Sequence, residues 1–252
     1  MAPAAPWLSL VIDRIEAREN HSASNATVFS CDLPGFGSRV PQPTDYSLES
    51  LVAAVHSKIR GFDRTPTVGH SIGGITRLAL AQHYPRVKGI SALDFPVFRD
   101  PGEGTAYIGR QGTVFRALLA HGELARAGCA AARTVPRAWV PAARRRWRQQ
   151  PEEVFRSAIV HSQAAHHSAV NEIIIGGHVA RPAPQTQTRP FQRYGNADTS
   201  ASVSNVRAIS AAHRRELSVV EDGAHQLHLD ESGLVAARIR RNAFSIEGRK
   251  NQ

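Results

Sequence analysis

The first hundred residues alternate short apolar runs with stretches of helical periodicity. Ala26 to Cys31 and Val87 to Leu93 are β-favouring runs that predict buried strands. Leu48 to Arg60 instead carries apolar residues at helical spacing, behind a serine that can cap its N-terminus. A further short run ends at Gly69, and the helix predicted after it stops before Pro85. This order of strand, helix, strand, helix and strand predicts a parallel sheet with right-handed crossovers.

Residues 99–179 have a different pattern, rich in alanine and arginine and without a strand-like run. The two clearest helical stretches are Val114 to Arg133 and Pro151 to Ile175. Strands are predicted again at Phe191 to Tyr194 and at Glu216 to Val220, followed by a closing helix. The fold class is therefore α/β, with a mostly parallel sheet flanked by helices. The predicted organisation is a core of residues 1–98 and 180–247, a helical lid of residues 99–179 and a disordered tail of residues 248–252.

The formal charge of +10 raises the question of a nucleic-acid partner. The excess is concentrated between Phe95 and Pro190, where there are thirteen arginines and only six carboxylates, and the densest run lies within residues 144–148. No nucleic-acid-binding motif accompanies these arginines, so a solvated helix face is the preferred interpretation and a phosphate-binding patch is the alternative. We expect no nucleic-acid partner.

Cysteines, histidines and hydropathy narrow the classes of protein and of site that the sequence allows. Cys31 and Cys129 are too few for a disulfide framework and predict reduced, buried thiols. No carboxylate or cysteine stands at ligand spacing from His161, His166 and His167, so the sequence predicts no metal site. No stretch approaches the roughly 20 apolar residues of a membrane span, and no basic leader precedes an apolar run at the start. We expect a cytoplasmic protein without a membrane span.

The most informative local sequence is G-H-S-I-G-G, between a predicted strand and a predicted helix. In a nucleophile elbow, a strained strand-to-helix turn projects a serine hydroxyl above the sheet edge, and this serine would be Ser71. Glycines at Gly69, Gly73 and Gly74 would relieve the crowding of such a turn. The N–H of Ile72 would point at the oxyanion that forms during acyl transfer. The alternative is an ordinary turn in which Ser71 only caps the helix.

Two more candidate residues follow the last two predicted strands. Asp198 and His225 would lie with Ser71 along one rim of the sheet, where parallel sheets bind their ligands. The chain order of nucleophile, acid and histidine is that of the α/β-hydrolase arrangement. Asp94, which follows the strand after the elbow helix, is the alternative acid.

Three ordered motifs carry a resemblance to a known family. They are the D-L-P-G-F-G-S loop that begins at Asp32, the G-H-S-x-G-G elbow and the G-x-H-x-x-H-L-D sequence that begins at Gly223. Through them the chain resembles the α/β-hydrolase superfamily of esterase-like and C–C-hydrolase-like enzymes, from about Trp7 to Arg240. The resemblance implies a hydrolase that uses no cofactor and acts on a small-molecule acyl substrate, such as a carboxylic ester.

The same resemblance implies roles for individual residues. Ser71 matches the family nucleophile, His225 the general base, and Asp198 the acid that orients the histidine. His70 and His228 match positions that pack rather than react. A serine nucleophile separates the chain from the haloalkane dehalogenases and epoxide hydrolases of this fold, whose pattern has an aspartate at that position.

One feature of the family has no counterpart in the sequence. Members begin with a central strand that ends in a His-Gly loop, and this loop supplies the second N–H of the oxyanion hole. Only 31 residues precede Asp32, and none of them matches. We therefore expect either that translation starts upstream of Met1 or that the chain is a degraded member. The alternative function is a hydrolase-fold protein that binds a ligand or partner without efficient catalysis.

Overall fold

The structure is a computed structural model that describes residues 31–37, 45–62, 65–84, 87–110, 113–120, 122–134, 160–176, 191–200 and 202–237. Three predicted features lie outside these residues: most of the strand at Ala26 to Cys31, the arginine run within 144–148, and the tail from residue 248.

Four parallel strands form one sheet in the described part of the chain. In spatial order they are β1 (Thr65–His70), β2 (Val87–Leu93), β3 (Phe191–Gly195) and β4 (Glu216–Val220). Because the strands are parallel, their carboxyl ends lie side by side. The last residue of β1 pairs with the last residue of β2, and those of β3 and β4 pair likewise. The predicted parallel sheet is confirmed, and the segments that follow its strands are neighbours.

The two helices predicted near the elbow pack against each other. They are α1 (Leu48–Ile59) and α2 (Ile72–His83). The Ser47 hydroxyl oxygen caps α1 by accepting a hydrogen bond from the Ser50 N–H. Each large aliphatic side chain that these helices bury contributes roughly 1.5–3 kcal/mol relative to its exposed state. Their common core includes Leu51, Val55, Leu80, Ile90, Phe95 and Tyr194.

Helices also follow β2, as the sequence predicts, but their bounds differ. They are α3 (Pro101–Arg110), α4 (Thr113–Leu119) and α5 (Glu123–Thr134). The prediction of one continuous helix from Val114 to Arg133 is wrong, because α4 and α5 are separate. Between them Gly122 has a φ of +116°. Glycine adopts such a conformation without steric cost, and it ends the helical hydrogen-bond pattern.

The second predicted lid helix also begins later than expected. His161 forms an antiparallel bridge with Phe36, and the Gly37 N–H donates to the Val160 carbonyl at 2.8 Å. Residues 160–162 are therefore extended rather than helical, and residues 151–159 lie outside the described ranges. The helix α6 (Gln163–His167) starts where the Ser162 hydroxyl accepts a hydrogen bond from the Ala165 N–H.

A π-helical segment, Ser168–Ile174, continues α6. The Ile175 N–H donates to the Val170 carbonyl at 2.9 Å, five residues back instead of four. The segment buries Val170 and Ile173 in the core. Apolar periodicity alone predicts this stretch as an ordinary helix, because one extra residue in a turn leaves no local signature in the sequence.

The described chain ends with the predicted strand-and-helix pattern. Helix α7 (Val203–Ala212) precedes β4, and α8 (Leu227–Asp230) follows it. Residues 232–237 are helical as well, in agreement with the predicted closing helix. None of the helices in the described ranges has the length and apolar composition that a membrane crossing needs.

Candidate active site

The turn between β1 and α2 holds Ser71 in a strained backbone conformation. Its φ is +53° and its ψ is −126°, a combination that costs a non-glycine residue roughly 1–3 kcal/mol. The Ser71 N–H donates to the Leu93 carbonyl at 2.9 Å, which ties the turn to the end of β2. The Ser71 side chain makes no capping hydrogen bond to the helix. The alternative in which Ser71 is only an N-cap is therefore wrong.

The crowding at this turn falls on two of the three predicted glycines. A Cβ on Gly69 would lie 2.2 Å from the Gly73 carbonyl oxygen, and a Cβ on Gly74 would lie 3.0 Å from the Phe95 Cβ. A Cβ on Gly73 would meet no atom within 4 Å in the described part of the chain. Gly69 is required because the strand and the helix approach each other backbone to backbone, whereas the expectation of crowding at Gly73 is wrong.

Ile72 is the first residue of α2. The N–H groups of a first helical turn have no intrahelical acceptor, and the partial positive charge of the helix terminus adds to theirs. The Ile72 N–H therefore lies at the positive end of α2, and its role as an oxyanion donor stays a prediction.

His225 and Asp198, which the sequence predicts as base and acid, are in contact. The His225 Nδ1 lies 2.9 Å from the Asp198 Oδ2. The Asp198 side chain is only 1% exposed and the His225 side chain 28% exposed. Burial alone would lower the pKa of His225, but the hydrogen bond and the charge of Asp198 raise it above its ordinary value. Because Nδ1 faces the carboxylate, Nε2 is the ring atom that remains to accept a proton.

Ser200 belongs to the same cluster, and the sequence analysis did not identify it. Its hydroxyl lies 3.0 Å from the His225 Nδ1, and its N–H donates to the Asp198 Oδ1 at 2.7 Å. The second contact is an Asx-turn, in which an aspartate accepts from the backbone two residues on. The D-T-S sequence permits this turn, so the two-residue spacing of Asp198 and Ser200 is the sequence feature that could have identified Ser200.

Asp94, the alternative acid, makes different contacts. It follows β2 with a φ of +42° and is completely buried. Its Oδ1 accepts a hydrogen bond from the Gly195 N–H at 3.1 Å, and its Oδ2 has no hydrogen-bond partner among the described residues. Burial raises the pKa of Asp94 to about 8, so at neutral pH it is mainly a neutral carboxylic acid. Asp198, and not Asp94, bonds the His225 ring.

His70 connects the elbow to the loop that carries His225. Its Nε2 lies 2.6 Å from the His225 carbonyl oxygen, and since a carbonyl only accepts, the His70 N–H donates. The His70 ring packs against the rings of His225 and His228, with centroids 4.8 and 4.1 Å apart. Burial lowers the pKa of His70 well below its ordinary value, which keeps the ring neutral. This hydrogen bond attaches the His225 loop to His70, the residue that precedes Ser71.

The chain is similar in sequence to a known family of proteins. The sequence profile of the Alpha/beta hydrolase family matches residues 2–238. The chain belongs to this family. No curated protein sequence matches it significantly.

Solved structures of other alpha/beta hydrolases share the fold at low sequence identity. An epoxide hydrolase from Vigna radiata superimposes with a TM-score of 0.69 at 14% identity, covering 96% of this chain and 88% of that one. An E-2-(acetamidomethylene)succinate hydrolase gives 0.66 at 15% identity, covering 93% and 87%. A thioesterase domain from the curacin biosynthetic pathway gives 0.63 at 15% identity, covering 95% and 88%. These proteins act on different compounds, so the similarity identifies the fold and not the substrate.

The arrangement in this alpha/beta hydrolase brings a serine turn, a histidine loop and a buried carboxylate to one rim of the sheet. A strained turn presents an uncapped hydroxyl, and the neighbouring loop presents a histidine whose protonated form a buried carboxylate stabilises. The first N–H groups of α2 can stabilise a developing negative charge.

Proposed function

We propose that the protein is a serine hydrolase that cleaves a carboxylic ester or a related acyl compound. The observation that carries the proposal is the contact between His225 Nδ1 and Asp198 Oδ2, at a loop that His70 attaches to the Ser71 turn. A histidine held in this tautomer and a serine without a capping bond in a strained turn are the groups that nucleophilic acyl transfer uses.

The reaction has two halves. The Ser71 Oγ attacks the acyl carbon while its proton passes to His225 Nε2, and the Ile72 N–H stabilises the oxyanion. The leaving alcohol takes the proton from His225 as the acyl-enzyme forms. Water then gives a proton to His225 and attacks the acyl carbon, and Ser71 recovers its proton as the acid departs.

Asp198 and Ser200 act on His225 rather than on the substrate. Asp198 holds the Nδ1–H tautomer and stabilises the imidazolium that forms in each half-reaction. Ser200 fixes the Asp198 carboxylate through its backbone N–H, so the acid has one orientation towards the ring.

A fluorophosphonate probe tests the nucleophile directly, because it forms a covalent bond only with an activated serine. We expect labelling of the wild type and of Ser57→Ala, a control on the exposed face of α1, but none of Ser71→Ala. Turnover of a series of p-nitrophenyl esters should fall on the order of 10⁵-fold in Ser71→Ala. Equal labelling of wild type and Ser71→Ala contradicts the proposal. A folded protein that the probe does not label and that hydrolyses none of the esters would instead favour the non-catalytic, ligand-binding alternative.

A further inference from the structure

A second cluster of reactive side chains lies among the helices that follow β2. Cys129 of α5, His161 of the bridge to Phe36 and His166 of α6 each offer one ligating atom, and these atoms all lie within 4.8 Å of one another. The cluster shares no residue with the candidate active site. The sequence predicts no metal site here, because the cysteine is far from these histidines in the chain and only the fold brings it beside them.

Two of the three residues are buried, and part of the hydrogen-bonding capacity of the cluster is unused. Cys129 is 0% exposed and His161 is 9% exposed. The His161 Nδ1 has no hydrogen-bond partner among the residues that the structure describes. Buried polar atoms without a partner are uncommon in native proteins, and each requires an explanation. A ligand bound at the cluster would provide one.

The three ligating atoms are farther apart than in a metal-bound tetrahedral site. Ligand bonds of about 2.3 Å to sulfur and 2.0–2.1 Å to nitrogen place tetrahedral donor atoms roughly 3.3–3.6 Å apart. The three atoms lie within 4.8 Å of one another, so metal binding requires them to draw together by up to about 1 Å. The His161 and His166 rings lie next to each other, with centroids 4.3 Å apart and planes tilted by 42°.

Arg133 is a charged group beside the cluster, and it affects metal binding in two opposite ways. It lies on α5 and its Nη1 donates to the His161 carbonyl at 2.8 Å. Its positive charge favours the Cys129 thiolate but opposes a divalent cation. A bound thiolate neutralises one of the two metal charges, so the guanidinium reduces the affinity without excluding the ion.

We infer that Cys129, His161 and His166 form a binding site for a zinc-class divalent metal ion, with water at the fourth coordination position. Binding converts the Cys129 thiol to a thiolate and releases its proton to solvent, while both imidazoles enter neutral. The ion joins α5 and α6, and through the His161 bridge it also joins them to the loop at Phe36. One thiolate and two imidazoles suit Zn²⁺ and Co²⁺ better than Mg²⁺ or Ca²⁺.

Titration of the metal-free full chain with Co²⁺ tests the site, because a thiolate–cobalt bond gives a charge-transfer absorption in the near ultraviolet. We expect this band to saturate at one Co²⁺ per chain and to disappear when Zn²⁺ is added. Cys129→Ser should lose the band, whereas Cys31→Ser, which removes the other free cysteine, should keep it.

A second pair of variants keeps the test decisive if Cys129→Ser does not fold. His166 is only partly buried, so His166→Gln should fold and bind Co²⁺ at least 10-fold more weakly. His83→Gln, at an exposed position on α2, is the matched histidine control and should bind like the wild type. A wild type without the band, or a band that survives in His166→Gln and in Cys129→Ser with unchanged affinity, overturns the inference.

Discussion

Two buried aspartates lie near His225, and they differ in what they contact. Asp198 accepts a hydrogen bond from the ring, whereas Asp94 accepts one from the Gly195 backbone. We expect Asp198→Asn to lower kcat/KM for an ester by about 10²–10⁴-fold, because an amide no longer stabilises the charged ring. Asp94→Asn should keep kcat/KM within a few-fold of the wild type. Steady-state kinetics of the two purified variants measures both.

The reverse ranking would assign the acid to Asp94. A loss of activity in both variants with retained folding would show that the two carboxyl groups act as one unit. Circular dichroism of each variant separates this outcome from simple unfolding.

The pH dependence of activity follows from the same contact. His225 must be neutral to accept a proton, and Asp198 raises the pKa of His225 above its ordinary value near 6.5. The acid limb of kcat/KM against pH should therefore have its midpoint above about 6.5, since this limb reports the free enzyme. In Asp198→Asn the midpoint should move to lower pH, because burial then dominates. An unchanged midpoint in that variant would mean that another group controls the limb.

At the scale of residues, the sequence predicts site residues whose positions follow from the order of the strands. It misses clusters of side chains that only packing brings together. Ser71, Asp198 and His225 each follow a strand, so a parallel sheet alone brings them to one rim. The proximity of Cys129 to His161 depends on how a helix packs against an extended segment, and no periodicity of the chain encodes that distance. Between these cases stands Ser200, whose spacing from Asp198 permits a turn without requiring it.

At the scale of elements, the strand-to-helix turn provides a sharp test of the packing argument. A Cβ on Gly69 would overlap the backbone of α2, which cannot rotate away. We expect Gly69→Ala to lower the free energy of unfolding by about 3 kcal/mol or more, at the upper end of overpacking costs. Gly73→Ala places its methyl group in open space within a helix and should be neutral, or stabilising by about 0.5–1 kcal/mol. Urea denaturation followed by circular dichroism compares the pair, and equal destabilisation would refute the assignment of the crowding.

The bounds of elements are predictable where hydrophobic pattern and end signals agree. The run Val87 to Leu93 is a strand over the predicted residues, and α1 starts behind its serine cap as expected. The failures have local physical causes. Gly122 ends a helix by its backbone conformation, and residues 160–162 pair with a loop more than a hundred residues earlier. Long-range backbone pairing of this kind is invisible in a window of neighbouring residues.

For the molecule as a whole, the raised pKa of Asp94 makes the free energy of unfolding depend on pH. Its pKa of about 8 in the folded state lies above roughly 3.9 in the unfolded state, so unfolding releases a proton between these values. Its contribution to stability is therefore present below about pH 4 and is lost as the pH rises towards 8. At pH 7 this lowers the free energy of unfolding by about 4 kcal/mol relative to its value below pH 4, on an order-of-magnitude basis.

We expect Asp94→Asn to remove most of this decrease. The variant should exceed the wild type in unfolding free energy by up to about 4 kcal/mol at pH 7 and differ little at pH 4. Asp222→Asn is the matched control, because Asp222 also has a positive φ but is exposed. Urea denaturation at several pH values measures the difference, and a constant difference across pH would show that Asp94 is charged in the folded protein.

The π-helical segment at Ser168–Ile174 affects how this helix tolerates a deletion. A π-helical turn holds about one residue more than an α-helical turn, so it absorbs an extra residue without changing the rotational phase of the helix after it. Removing one residue of the segment would therefore restore a regular helix and leave the residues that follow it on the same face. A single-codon deletion here should thus be tolerated better than one in a regular helix, where every later side chain would turn by about 100°.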